Sequence, residues 1–264
     1  LFYSATLDVP KSTARTISGW LKVHRKKNDQ RPWQRAASCW KQTIMQLKRL
    51  KDGTSITTIA RDAGISPASG YRYIHEALGV VAEKSPTLAH VLKNLTTENE
   101  PFICLDGTLI HTDRIAQHNP KTVVTCGIFS KHKAFGGNIQ VITNSTGYPV
   151  WVSPVTPGST HDLTAARHHV LPVLQATTDC PLVLADKGYQ GAGGCVKTPA
   201  KGPNLSDCDK TYNLIQLKLQ SPAERANALL KHFKALQKVT FCPRTITNIA
   251  KTALTVLHLN HTKT

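Results

Sequence analysis

Carboxylates are the scarce component of this 264-residue chain: 16 Asp and Glu stand against 33 Lys and Arg, a formal charge of +17. The shortage is sharpest after residue 100. There Asp106, Asp113, Asp162, Asp179, Asp186, Asp207, Asp209 and Glu224 are the acids of 164 residues. With so few acids, one that sits in an apolar or glycine-rich setting is a candidate for chemistry rather than for a solvated face. The basic excess favours a polyanionic partner, nucleic acid before an anionic membrane. No apolar run approaches the roughly 18 residues of a spanning helix, and no signal peptide is visible. The seven cysteines are odd in number and form no C-x-x-C pair. This excludes a simple disulfide framework and suggests reduced thiols of a cytosolic protein, with a weaker alternative of a zinc site at Cys195, Cys208 and nearby histidines. Internal repeats and low-complexity tracts are also missing, which excludes a solenoid.

What is present centres on residues 102–114, FICLDGTLIHTDR. The apolar run Phe102-Ile103-Cys104-Leu105 reads as a buried strand ending in Asp106, with Gly107 giving the backbone room to turn or to admit a ligand. The pattern recurs where Pro181-Leu182-Val183-Leu184-Ala185 runs into Asp186, followed by Lys187 and Gly188. A third acid, Glu224, opens the helical stretch PAERANALLK. A carboxylate at the end of a buried strand is costly unless its charge is compensated. Two such aspartates and a helix glutamate form a hard-oxygen set suited to Mg²⁺ or Mn²⁺. Two ions in such a site support in-line phosphoryl displacement, with Asp106 bridging and Asp186 and Glu224 each holding one. The competing readings are a turn acid for Asp106 and Asp186, and a first-turn acid favoured by the helix dipole for Glu224. Asp162 is expected to cap a helix. Lys131, His132, Lys187, Arg225 and Lys231 lie near these acids in sequence or in adjacent loops and are candidate DNA contacts.

The first hundred residues read as helical. A helix and basic linker over 1–36 interleave Lys22, Arg25, Lys26, Lys27, Arg31 and Arg35 with Trp20 and Trp33, either a solvated face or a DNA-backbone contact. Ser38 caps a helix from Cys39 to Leu50, Thr54 or Ser55 one from Ile56 to Ala63, and Ser66-Pro67 a third running to about Glu83. With the tight step Ala63-Gly64-Ile65 this resembles a helix-turn-helix, whose second helix enters the major groove by its N-terminal residues. Ser69, Tyr71 and Arg72 are its candidate DNA contacts. Residues 85–101 read as a polar linker, dividing a helical DNA-binding domain (1–84) from a catalytic domain (102–264).

In that second domain the expected order is two strands flanking Gly107, a strand near 123–129, strands at 138–143 and 148–155, a helix from Asp162 to Leu174, the Asp186 strand, an irregular basic insertion at 191–221, a Glu224 helix to about Lys238, and a last helix over 244–260. This is an α/β layout, a mixed sheet with flanking helices, compatible with a ribonuclease H-like fold.

The motifs LDGTLIHTDR, GSTHDLTAAR, LADKGYQGAG and SPAERANALLKHFKALQKV, in this order after a helix-turn-helix, resemble insertion-sequence transposases of the DDE superfamily, of the bacterial and actinobacterial type with an N-terminal helix-turn-helix. The resemblance places the acidic triad on Asp106, Asp186 and Glu224. It implies cleavage at element ends that depends on two Mg²⁺ or Mn²⁺ ions, then attack of the freed 3′-hydroxyl on target DNA. It also implies double-stranded DNA as partner (terminal inverted repeats and target), a homodimer in the synaptic complex, no membrane, and a cytoplasmic, nucleoid-associated location. A basic loop departs from the family pattern: Ser130 stands for a glycine and Phe135 for a histidine, whereas Lys131, His132, Asn138 and Gln140 match. The alternatives are a decayed or domesticated copy acting as a DNA-binding regulator, and a nuclease without strand transfer.

Overall fold

Four helices of the first hundred residues start where a hydroxyl side chain, of Ser38, Ser55, Ser66 or Thr87, accepts from a free backbone N–H. A computed structural model describes residues 7, 9–112, 116–119, 122–125, 128–129, 134–237, 239 and 242–261. Helix α1 (Lys11–Lys27) is followed by α2 (Cys39–Asp52), where the Ser38 hydroxyl accepts from Lys41 N and Gly53 closes the C-terminus at φ 67°. Helix α3 (Ile56–Asp62) is capped by Ser55, and α4 (Pro67–Ala82) by Ser66 with Pro67 at its first position. Gly70 of α4 lies against α3 so closely that a Cβ there would meet the Ala60 Cβ at 2.6 Å. The tight pairing of α3 with α4 therefore depends on glycine.

Contacts divide the chain into two compact units: Leu1–Ser85, His232–Gln237 and Asn248–Thr264, and Pro86–Lys231 with Lys238–Thr247. The core of the first unit is built from α1 (Ile17, Leu21), α2 (Ile44, Met45, Leu47, Leu50), α3 (Ile59) and α4 (Ile74, Leu78, Val81), with Ala253 and Leu254 of the last helix, α10 (Pro243–His261). Within it Thr252 and Thr255 donate to Leu78 O and Val81 O.

One residue in this core breaks the apolar rule. Gln46 is fully buried, and neither its amide nitrogen nor its oxygen has a partner among the described residues. An unsatisfied buried amide costs roughly 1–3 kcal/mol. Gln46→Met keeps the shape and removes that cost, so the variant is expected to melt a few degrees higher. An unchanged or lower Tm in calorimetry would show that the amide has a partner, such as buried water.

The second unit opens with α5 (Leu88–Thr97), in a segment expected to be a polar linker. Thr87 caps it, and Leu88, Val91, Leu92 and Leu95 are buried against the sheet, so a single apolar stripe outweighs the polar flanks. Strand β1 (Phe102–His111) is continuous through Gly107, replacing the two expected strands. Strands β2 (Ala116–Asn119), β3 (Thr122–Thr125) and β4 (Ile128–Phe129) precede β5 (Ala134–Thr143), which pairs antiparallel with β1. Next come β6 (Pro149–Val152) and β7 (Thr156–Pro157). The expected helix after residue 162 is broken at Val170 into α6 (Asp162–His169) and α7 (Leu171–Ala176), where Pro172 lacks the N–H needed to continue it. Strand β8 (Leu182–Ala185) pairs parallel with β1, and β9 (Val196–Lys197) parallel with β8.

The expected irregular insertion at 191–221 contains a 14-residue helix, α8 (Asp207–Gln220), opened by a Ser206–Asp209 capping box. The Glu224 helix, α9 (Glu224–Lys231), ends earlier than expected and passes into a 3-10 turn at Lys234–Leu236. The strand order β6-β5-β1-β8-β9, antiparallel on one side of β1 and parallel on the other, is a ribonuclease H-like mixed sheet. Helices α5, α6 and α7 bury Ile103, Leu105, Val183 and Ala185 on one face. Cys104 and Leu184 face the other way, toward Ala223 in the 3-10 turn just before α9. Among the described residues no helix is long and apolar enough to cross a membrane.

Candidate active site

Strand register brings the first two acids together. Leu105 is the parallel partner of Ala185, so the next residues, Asp106 within β1 and Asp186 just past the end of β8, stand side by side. Alternation along each strand then puts Asp106 on the face of Cys104 and Leu184, the face on which Ala223 sits. A cavity of about 280 Å³ opens here, lined by Cys104, Asp106, Asp186, Leu217, Gln220 and Glu224 among others. The three acids singled out from the sequence thus share one cavity. Asp186 and Glu224 are exposed and Asp106 is half-buried.

Each aspartate is held by its own partner. Asn227, one turn after Glu224 on α9, donates from Nδ2 to Asp106 Oδ2 at 2.7 Å. Asp186 Oδ1 accepts from Gly188 N at 2.8 Å. Burial first, with the Asn227 hydrogen bond and the Gly107 N–H opposing and the charges of Asp186 and Asp162 adding, leaves the Asp106 carboxyl pushed up to about 6.

Asp162 is the residue that sequence reasoning misplaced. His161 occupies the N-cap of α6 and Asp162 the first turn, and the Asp162 carboxylate reaches toward the sheet instead of capping the helix. Its Oδ1 accepts from Asn138 Nδ2 at 2.6 Å. Asn138 Oδ1 accepts from Gln140 Nε2 at 3.0 Å, and Gln140 Oε1 from the Tyr189 hydroxyl at 2.6 Å. Asn138, Gln140 and Tyr189 are all buried. Burial and the charges of Asp162, Asp106 and Asp186 push the Tyr189 phenol far up, so it stays protonated and donates. The signal available in the sequence was the alternation Asn138-x-Gln140 on β5, which points two polar side chains to one face of a central strand.

The donor chemistry suits a hard divalent cation: carboxylate oxygens crowd one cavity, and their mutual repulsion is the kind a cation relieves. Among the described residues, however, no three acidic, histidine or cysteine side chains converge closely enough to enclose an ion. The zinc reading at Cys195 and Cys208 finds no such group either. Cys195 instead lies 3.1 Å, sulfur to sulfur, from Cys180, both as free thiols.

Of the expected DNA contacts, Lys187 lies exposed beside Asp186, and Arg225 and Lys231 are exposed on α9. Tyr71 and Arg72 are exposed on α4, Tyr71 stacked on His75 with ring centroids 6.3 Å apart. Ser69 is half-buried, and its hydroxyl accepts from Arg72 at 3.2 Å. Lys131 and His132 lie outside the described residues.

Residues 105–259 match the family profile described as DDE superfamily endonuclease. No curated protein matches the chain. Among solved structures, the Mos1 transposase paired-end complex with left transposon end aligns over 80% of this chain and 75% of that one, at 12% identity and a TM-score of 0.23. At that score the likeness carries no structural argument.

Proposed function

The chain belongs to the DDE superfamily endonucleases, whose profile spans more than half of it, and from that premise we propose that it is a DNA transposase. In this reading it cleaves phosphodiester bonds at the ends of an insertion element and joins the freed 3′-hydroxyl to target DNA. The reading rests on one observation above all: the β1–β8 register sets Asp106 and Asp186 side by side over a cavity that Glu224 also lines. A protein that only bound DNA would have no use for that convergence in so acid-poor a chain.

Asp106, Asp186 and Glu224 would hold two Mg²⁺ or Mn²⁺ ions, with Asp162 near by. When bound, such ions activate the attacking hydroxyl and stabilise the leaving oxygen. The chain's own side chains hold the carboxylates in place. Asn227 keeps Asp106 turned toward α9, and the Tyr189–Gln140–Asn138 relay fixes Asp162. Lys187, Arg225 and Lys231 neutralise the phosphates of the scissile strand. The first turns of α4 present Tyr71 and Arg72 to DNA, with Ser69 orienting Arg72. Cutting two ends together calls for a homodimer in the synaptic complex.

The test is cleavage of a supercoiled plasmid bearing the element's inverted repeats, in Mg²⁺ or Mn²⁺ against EDTA, with wild type beside Asp186→Asn. Cleavage that needs both metal and Asp186, with joined products, is the expected result. Nicked DNA without joining would reduce the assignment to a nuclease. Binding without cleavage in any metal would favour a regulator.

A further inference from the structure

The helical unit contains a buried cation that makes no ion pair with a carboxylate among the described residues. Arg25 of α1 is only 7% exposed. Its guanidinium donates to two neutral acceptors, Ala37 O at 3.0 Å and Gln42 Oε1 at 2.6 Å, and its Nε has no partner among the described residues. Glu76, the carboxylate beyond Gln42, is engaged by Arg35, with His24 3.8 Å away. A desolvated charge without an opposite one is unfavourable and calls for an anion.

Arg25 lines a cavity of about 300 Å³ together with Lys22, Lys26, Arg31, Asp29 and Gln30. Four cations there face one carboxylate, and Asp29 is already paired with Arg31 at 3.2 Å. Lys22, Lys26 and Arg31 are exposed at this cavity. Cys39, the first residue of α2, also borders the cavity, so the positive end of a 14-residue helix lies beside it. Trp33, 79% exposed, stands in the same basic segment.

We propose that this cavity seats a backbone phosphate of bound DNA, with Arg25 as its buried base and Lys22, Lys26 and Arg31 at its mouth. The seat is tied to the helix that would enter the groove. Gln42, which accepts from Arg25, donates to Tyr73 O at 2.8 Å and to Glu76 Oε2 at 2.9 Å, both on α4. The Arg35 guanidinium lies 4.3 Å from the Tyr73 ring centroid. A phosphate held at Arg25 therefore fixes the orientation of α4, in the way that backbone contacts position a protein while base contacts specify sequence. This inference rests on the DNA-binding reading above and adds a second anchor to it.

The experiment measures binding of the full chain to a labelled 30-base-pair duplex by fluorescence anisotropy across a salt series. It compares wild type, Lys26→Ala/Arg31→Ala, and a control of equal charge change elsewhere on α1, Lys11→Ala/Arg15→Ala. Thermal melts verify that all are folded. Loss of one phosphate contact lowers the log–log salt slope by about 1 and the affinity by roughly tenfold in the cavity variant, with a much smaller change in the control. Equal slopes in wild type and cavity variant overturn the proposal, as does an equal fall in the control. A melting rise of wild type in inorganic phosphate, lost in the cavity variant while duplex binding is unaltered, would assign the seat to a free phosphate ion and overturn the DNA assignment. Wild type that fails to bind the duplex even at low salt would instead remove the DNA-binding reading itself.

Discussion

Asp106→Asn is expected to abolish DNA cleavage and, in metal-free protein, to raise thermal stability at the same time. The two effects share one cause. Asp106 sits on a buried strand beside Asp186 with Asp162 near by, and its carboxyl is pushed from 3.8 up to about 6 by burial first and then by those charges. An acid whose folded pKa is raised binds its proton more tightly in the native state. Its contribution is therefore most favourable below about pH 4, falls as pH rises through about 6, and is constant above that. A shift of that size corresponds to roughly 2–3 kcal/mol in the fully ionised protein. The neutral amide carries no such cost and still accepts the Asn227 hydrogen bond through its oxygen. At pH 8 in EDTA the variant should melt several degrees above wild type, and at pH 4 the gap should close. Adding Mg²⁺ or Mn²⁺ at pH 8 should raise the melting temperature of wild type but not of Asp106→Asn. Cleavage should fall on the order of 10³-fold or more, because the lost carboxylate is a proposed ligand of the ions that stabilise the developing charge. A variant that cleaves at the wild-type rate, or a wild type whose stability ignores both pH and metal, would remove Asp106 from the centre of the site.

How far this arrangement was legible in the sequence depended on which side chains face inward. Helices α2, α3 and α4 carry hydroxyl caps, a glycine stop and apolar stripes, and their expected bounds lie within a few residues of those observed. Asp106 and Asp186 stood out because an apolar run ending in a carboxylate is rare in an acid-poor chain. Helix α8 was illegible for the opposite reason. Its inward residue is Gln216, whose amide donates to Ala185 O at 2.9 Å and Lys197 O at 3.0 Å, while Leu214, Ile215 and Leu217 are exposed. A helix that docks through an amide and turns its leucines outward presents no readable stripe. Helix α5 was hidden by its setting, since Ser, Thr, Pro and Glu around a four-residue apolar stripe look like a linker until the sheet supplies the surface to cover. The role of Asp162 depends on contacts between elements far apart in the chain, 24 residues from Asn138, which no local pattern encodes.

Gly107 shows what such a contact demands. The sequence suggested a glycine that lets the chain turn or a ligand approach after Asp106; β1 continues straight through it, and Gly107 is not among the residues of positive φ. The requirement is space. Opposite Gln140 in the β1–β5 register, a Cβ at 107 would collide with Asp162 Oδ1, meet Asp162 Cγ at 2.8 Å and press on Gln140 Nε2 at 3.2 Å. Gly107→Ala is therefore expected to push the Asp162 carboxylate out of its hydrogen bond with Asn138 and to disturb the buried relay behind it. Overpacking of this kind costs about 1–3 kcal/mol. Misplacing a group by about 1 Å near reacting atoms can cost on the order of 10²-fold in rate, so cleavage should fall by a similar factor while duplex binding is retained. A double-mutant cycle identifies the cause. If the methyl group acts by displacing Asp162, Gly107→Ala should cost little further activity in an Asp162→Ala background, and Asp162→Ala should recover part of the stability that Gly107→Ala loses. Additive losses in both measurements would mean that Gly107 serves the strand itself and does not act through Asp162.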